Sequence, residues 1–458
     1  MARTRNNLLA AAIKETGWSQ EQTAAHFRTV AVECGAPGLA HVSRAHISQW
    51  VLGSRPEGDA ARILSETLSR RLGRVVTPAQ IGLAPIQPTP STVPGWEDVD
   101  TVAALVDLRD DTMDMTRRQV LAYSAAGTAL PPDHWWKDTL DRAQTRPAVS
   151  RQSVTPAHVE AVRAAMVHHS RQDQLLGGRA GSSALTSYLR TDVADYLARR
   201  FPSEKLRRDM FGAAAELVYL SAWMAFDSSD HGTAQARFNL AVSMAAEAGD
   251  GPLAGHILRA AAHQAVDLHH PKRALALAEG SLAQRRYAQA SPRERALLGV
   301  VHARALALCR RDAEARAALR QAAEELGNAR PTDEPARVYF FGEASLAHET
   351  ACTLRDLGDL RAAEKEFEHS VRTRALPFAR THVVTLGYLG AVQARQGQVE
   401  AACATWSRAL DSMDGIASGR VQDTVVQMRR ALRPVLARGG RVAATLDQRA
   451  DAMLRSVG

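Results

Sequence analysis

Several groups of side chains in this 458-residue chain have the types and spacing to do chemistry. The first is a hydrogen-bonding run, Ser43, Arg44, Ala45, Ser48 and Gln49, with Gln20 upstream and Arg55 downstream. Arginine presents a fixed fork of donors, and glutamine a planar amide with donors and an acceptor. On one helix face such a set matches the donor and acceptor pattern of base edges. A second group, His263, Asp267, His269 and His270, has metal-ligating types. No cysteine or further carboxylate completes a tetrahedral set, and the pair His168-His169 is no better. Gly177 to Ser183 is glycine-rich but lacks the lysine of a phosphate-binding loop, so it reads as a turn between helices. Glu324 and Glu325 are adjacent, so they face different directions on a helix. No Ser/His/Asp set has local context. The chain is therefore not expected to be an enzyme, with no cofactor and no metal.

The hydrogen-bonding run needs a scaffold, and residues 1–85 supply one. Leu8, Leu9, Ala12 and Ile13 share one face of a first helix that Gly17 ends. Ser19 and Gln22 have capping-box spacing, which starts a second helix with Ala24, Ala25 and Phe27 on its buried side. A third helix begins near Ser43. Ile47 and Trp50 face inward, which leaves Ser43, Arg44, Ala45, Ser48 and Gln49 outside. That face is roughly 9 Å long at 1.5 Å per residue, enough for a few base pairs in a major groove. Gly53 closes the helix and Arg55-Pro56 turns the chain. Ile63, Leu64, Leu68 and Leu72 mark a fourth helix, and Thr77-Pro78 opens a short fifth.

Trp18-Ser19-Gln20-Glu21-Gln22, Val42-Ser43-Arg44 with Ile47-Ser48-Gln49-Trp50, and Gly53-Ser54-Arg55-Pro56 resemble the lambda-repressor-like (XRE) helix-turn-helix family. The resemblance covers the head. It implies a phosphate contact for Gln20, base reading for Ser43, Arg44 and Ala45, and contacts one turn later from Ser48 and Gln49. The chain departs from the family at residues 33–41, an insertion with Gly35, Pro37 and Gly38 where the family has a short turn.

Residues 86–150 read as a connector. Ala84 to Gly95 is rich in Pro, Ser and Thr. An acidic patch comes next, Glu97 to Asp114, read as a solvated face. Met113 to Leu130 carries Arg117-Arg118 before an apolar run, like a twin-arginine export signal. With more than 100 residues before it, a connecting helix is the better reading. Trp135-Trp136 is expected to dock on the helices C-terminal to it.

Residues 151–458 are alanine-rich helix after helix. Turns lie four residues before a small alanine, at Asp230, His270, Arg311, Gly358 and Gly397. A bulky residue comes after each of three of these alanines, at Phe238, Phe367 and Trp406. The longest interval holds an extra loop, Arg330 to Pro335. The copies resemble tetratricopeptide repeats, hairpins that stack because one alone cannot bury its apolar side. Such arrays expose a concave groove.

The fold class expected is all-α: a five-helix helix-turn-helix head and an α-solenoid of tetratricopeptide-like hairpins. The head carries four more Lys/Arg than Asp/Glu, and the whole chain is at +8, which suits a polyanion partner. Cys34, Cys309, Cys352 and Cys403 have no paired spacing, as expected of a reducing, cytoplasmic compartment. No apolar run approaches the ~20 residues that span a bilayer. The plan resembles actinobacterial regulators with a helix-turn-helix head and a tetratricopeptide sensor. That resemblance implies a double-stranded DNA operator, a peptide or protein ligand in the groove, and a homodimer. The alternative is a scaffold that works through protein contacts alone.

Overall fold

The computed structural model describes residues 5–33, 36–72, 76–78, 80–83, 100–108, 133–146, 148–437 and 440–457. The acidic patch beyond residue 108, the Pro-rich stretch 84–95 and the twin-arginine-like segment lie outside them. The chain is all-α. Among the described residues the only extended pairing is one isolated bridge between Ser153 and Arg200.

The head begins with α1 (Asn7–Thr16). The Asn6 side chain accepts the Leu9 N–H at 3.0 Å and donates to the Ile81 carbonyl at 2.8 Å. It thus caps the helix and ties it to the end of the head. Gly17 ends α1 at φ 73°, a left-handed conformation that glycine adopts without a Cβ penalty. α2 (Gln20–Glu33) opens in the expected capping box. The Ser19 N–H donates to Gln22 Oε1 at 2.9 Å, and the Gln22 N–H donates to Ser19 Oγ at 3.2 Å. Then come α3 (Arg44–Val51) and α4 (Ala60–Leu72). Leu9, Ile13, Ala24, Phe27, Val30, Ile47, Trp50, Ile63, Leu64 and Leu68 form one core.

Three expectations for the head change. Leu8 is 56% exposed, because the buried stripe of α1 runs through Leu9, Ala12, Ile13 and Thr16. Ala25 is exposed, and Thr23 takes the buried position beside Ala24. Thr77-Pro78 starts a turn, not a fifth helix, among the described residues. The Thr77 N–H donates to Gln80 Oε1 and the Gln80 N–H to Thr77 Oγ1, and the chain then leaves through Leu83. Within the insertion, Pro37–Leu39 form one 3-10 turn.

The remaining helices are α5 (Thr101–Val106), α6 (Asp133–Thr145), α7 (Pro156–Leu176), α8 (Ser182–Tyr188), α9 (Ala194–Ala198), α10 (Glu204–Asp227), α11 (His231–Ala248), α12 (Gly251–Asp267), α13 (Pro271–Leu282), α14 (Arg285–Ala288), α15 (Pro292–Leu308), α16 (Asp312–Gly327), α17 (Glu343–Asp356), α18 (Leu360–Thr373), α19 (Ala379–Arg395), α20 (Val399–Asp411), α21 (Gly419–Leu436) and α22 (Arg441–Val457). The π-helical Leu189–Val193 joins α8 to α9. α5 and α6 fold back on α11. Glu247 of α11 accepts from Thr101 Oγ1 at 2.6 Å and from Arg146 at 2.9 Å. Trp135 is buried, and the Arg286 guanidinium covers Trp136 at 4.7 Å.

Five hairpins share one turn geometry. Ser229, His269, Arg310, Gly358 and Gly397 are left-handed, at φ 65°, 59°, 62°, 89° and 80°. The next residue's N–H donates to the carbonyl five residues back in all five: Asp230 to Ala225, His270 to Ala265, Arg311 to Leu306, Asp359 to Leu354 and Gln398 to Gln393, at 2.9–3.0 Å. This is the Schellman closure of a helix C-terminus. The alanine four residues further on is buried each time: Ala234, Ala274, Ala315, Ala363 and Ala402. The last two turns therefore sit one residue later than the sequence alignment places them. In the corrected register Phe238, Phe367 and Trp406 all fall four residues after the alanine. All three are fully buried.

Hairpins pack on their neighbours in chain order, α10 and α11, α12 and α13, α15 and α16, α17 and α18, α19 and α20, then α21 with α22. α7 packs on α10 at the start and reaches α19 near the end. The Ala417 N–H donates to the Leu176 carbonyl at 2.7 Å, and the Arg179 N–H donates back to the Ala417 carbonyl at 3.1 Å. The Gly177 segment is indeed a turn between helices. A Cβ on Gly177 would lie 2.6 Å from the Ala417 carbonyl, so the closing contact needs glycine there. No helix among the described residues is long and apolar enough to cross a membrane.

Candidate functional site

The polar face of the head is built by α3. Ile47 is fully buried and Trp50 sits 5.6 Å from the Phe27 ring, so the inward side of α3 is fixed by packing. The opposite side is thereby set outward. Arg44, Ala45 and Gln49 are exposed, and Ser43 and Ser48 are half-buried beside them. No carboxylate among the described residues pairs with Arg44 or with Arg55, which is exposed in the segment after α3. Gln20 is half-buried at the start of α2. Two of these side chains also have partners within the head. Ser43 is the extended N-cap residue: His46 Nδ1 accepts its N–H at 3.1 Å and lies 3.0 Å from its hydroxyl. Gln49 Oε1 is 3.4 Å from the Ser54 hydroxyl, so its amide is already partly oriented. His46 is exposed on the same face, a position the sequence reading lacks. Its spacing of three from Ser43, the capping-box interval, is the available signal.

The head is not a free appendage. Glu66 of α4 accepts a hydrogen bond from His270 Nε2 of the array at 2.7 Å, and both side chains are at most 4% exposed. Arg70 Nε donates to the same carboxylate at 2.9 Å. Burial alone would raise the Glu66 pKa. The His270 hydrogen bond and the Arg70 charge outweigh it and hold the carboxyl below its ordinary value.

The second site is a cavity of about 90 Å³ among the C-terminal helices. Its walls come from α7, α10, α12, α15, α17 and α21 and from residues 337–341 and 374–381. The extra loop Arg330 to Pro335 is itself largely exposed, and the residues after it close the cavity: Val338 and Phe341 are buried, and Phe340 borders it. Arg337 anchors this segment to Glu294, Glu216 and Asp250.

Buried ions surround the cavity. Arg380 bridges Asp173 at 3.2 Å and Asp227 at 3.0 Å. Burial and the neighbouring Asp227 push the Asp173 carboxyl up to about 6 against the pull of Arg380. Arg304 reaches Asp267 at 3.0 Å, Glu349 at 3.3 Å and His263 Nε2 at 3.1 Å. The four residues read as possible metal ligands are thereby divided. His263 and Asp267 belong to this ion cluster, His270 faces Glu66, and His269 is exposed in its turn. No metal-holding group of His, Cys, Asp and Glu occurs among the described residues. The lining arginines come from positions more than 150 residues apart, which is why no local motif announces them.

Comparison with known proteins bears on the head alone. Residues 9–84 match a family model described as the SP15 N-terminal domain. That description is not one of a helix-turn-helix family. The matched stretch begins in α1 and ends just past Leu83, the last described residue of the head. No curated protein matches the chain.

Proposed function

We propose that this chain is a sequence-specific DNA-binding regulator of transcription, not a catalyst, working in the cytoplasm with α3 as its reading helix. The observation that carries the reading is the division of α3. Ile47 and Trp50 root it in the head core, while Arg44, Ala45, His46 and Gln49 stand exposed and Arg44 has no internal counter-charge among the described residues. An unpaired arginine fork is suited to the O6 and N7 acceptors of guanine, and a glutamine amide to adenine. Ser43 fixes the helix start, and Arg55 and Gln20 supply backbone contacts that position but do not specify. The array holds the head through Glu66 and His270, which gives a ligand or partner of the array a route to the output. In this reading the partners are a double-stranded operator and, for a two-fold site, a second copy of the chain.

Genomic enrichment with wild type beside Arg44→Ala and Gln49→Ala tests it. Wild type should enrich discrete sites, and each variant should lose discrimination at one position within them. If both variants keep the same sites, α3 does not read bases; if wild type enriches none, the protein acts through protein contacts instead.

A further inference from the structure

Two arginines at the central cavity differ from the rest. Arg337, Arg380 and Arg420 each have carboxylate partners. Arg259 and Arg374 have none among the described residues. Arg259 is 2% exposed. It donates to the Tyr219 hydroxyl at 3.0 Å and lies 5.7 Å over the Trp223 ring, yet its Nε has no hydrogen-bond partner. Arg374 donates to the Ala344 carbonyl and the Ser370 hydroxyl, both at 2.9 Å, and its Nε is likewise unmatched. Burial lowers the Arg374 pKa to about 10, because only the Glu349 charge offsets the loss of water. Arg259 is buried and Arg374 half-buried, and neither has a carboxylate in ion-pair reach among the described residues, which is costly to keep. Both line one cavity whose remaining walls include the rings of Trp223, Phe340 and Phe378.

We propose that this cavity binds a small organic acid, its oxyanion held by Arg259 and Arg374 and its apolar part against Trp223, Phe340 and Phe378. A guanidinium fork matches a carboxylate or phosphate in a two-point hydrogen bond, and no carboxylate among the described residues occupies the fork of Arg259 or Arg374. A polypeptide backbone would need a longer opening; a cavity of about 90 Å³ suits a few heavy atoms. The proposal does not depend on DNA binding by the head.

Thermal unfolding of the full chain tests it, with propanoate, methyl phosphate and the neutral propanamide as probes at matched ionic strength. At least one of the two acids should raise Tm by about 2–4 °C at saturation, and the amide should not. Which acid acts names the oxyanion. In Arg259→Met and in Arg374→Met the response should fall at least tenfold in apparent affinity, by titration calorimetry. Equal shifts from acid and amide, no shift from either acid, or an undiminished response in both variants would each overturn the assignment. Because the acid-against-amide comparison is made on wild type, a variant that fails to fold leaves the test intact.

Discussion

At the residue scale, two kinds of arginine carry the account. Arg44 and Arg55 are exposed cations without carboxylate partners among the described residues, Arg259 is a buried one and Arg374 a half-buried one. Their expected behaviour differs accordingly. Arg44→Ala should cost about 1–3 kcal/mol of binding at one base position only. Arg55→Ala should weaken all duplexes alike and reduce the salt slope by about one ion, measured by titration in increasing salt. Ser43 belongs with neither. As the N-cap of α3, held beside His46, it should behave as a stability residue. Ser43→Ala should lower head stability by about 1 kcal/mol in chemical denaturation and leave base preference unchanged. A changed preference would restore the base-reading role that its spacing suggests.

At the scale of elements, close crossing of α19 over its neighbours is the most sensitive feature. A Cβ at Gly390 would lie 2.4 Å from Trp406 Nε1, and one at Gly387 1.8 Å from Thr424 Cγ2. Trp406 Nε1 donates to the Gly387 carbonyl at 3.1 Å, so the plug of one hairpin is bonded to the backbone of the helix before it. Gly390→Ala should therefore destabilise by about 1–3 kcal/mol and disturb Trp406 fluorescence. Much of this level is legible in the sequence. Capping residues, left-handed turn positions and the alanine-to-bulky interval are local signals with a fixed register. The register slips by one at Gly358 and Gly397, because glycine there occupies the left-handed position that Ser229, His269 and Arg310 occupy elsewhere. Leu8 and Ala25 depart from expectation for the reverse reason: short helices offer several apolar stripes, and only tertiary packing selects one. The fifth head helix fails to form because its capping chemistry serves equally well to close a single turn. Nothing local foretells the glycine contacts of α19, which arise between helices.

At the scale of the molecule, closure and docking are long-range events with no sequence period. α7 meets α19 and the segment at Ala417, and Glu66 meets His270 across 204 positions. The first two close the C-terminal helices on themselves, and the third ties the head to them. Removing one partner of the Glu66–His270 pair should cost about 3 kcal/mol and split calorimetric unfolding into two transitions. His270→Ala is the cleaner variant, since Glu66 then keeps Arg70. Acid should also act on the array through buried neutral imidazoles. Burial depresses His348 to about 3 and lowers His256 and His263 as well. Below pH 6.5 the unfolded chain takes up protons that the folded chain refuses, so their contribution is full above that pH and is lost as pH falls toward about 3. Asp173, raised to about 6, works the other way and favours the fold at lower pH. Glu216 and Glu247, raised by burial, act like Asp173, while the depressed Glu66, Asp267 and Glu349 carboxyls act with the imidazoles, so stability should rise with pH between about 4 and 6.5, as denaturation across that range would show.

The central claim is that α3 reads DNA sequence, and selection from a random duplex library by the full chain tests it most directly. The account predicts a recurrent motif for wild type that Arg44→Ala loses at one position and Arg55→Ala retains at lower yield. Recovery of no motif, or of the same motif with Arg44→Ala, would contradict it.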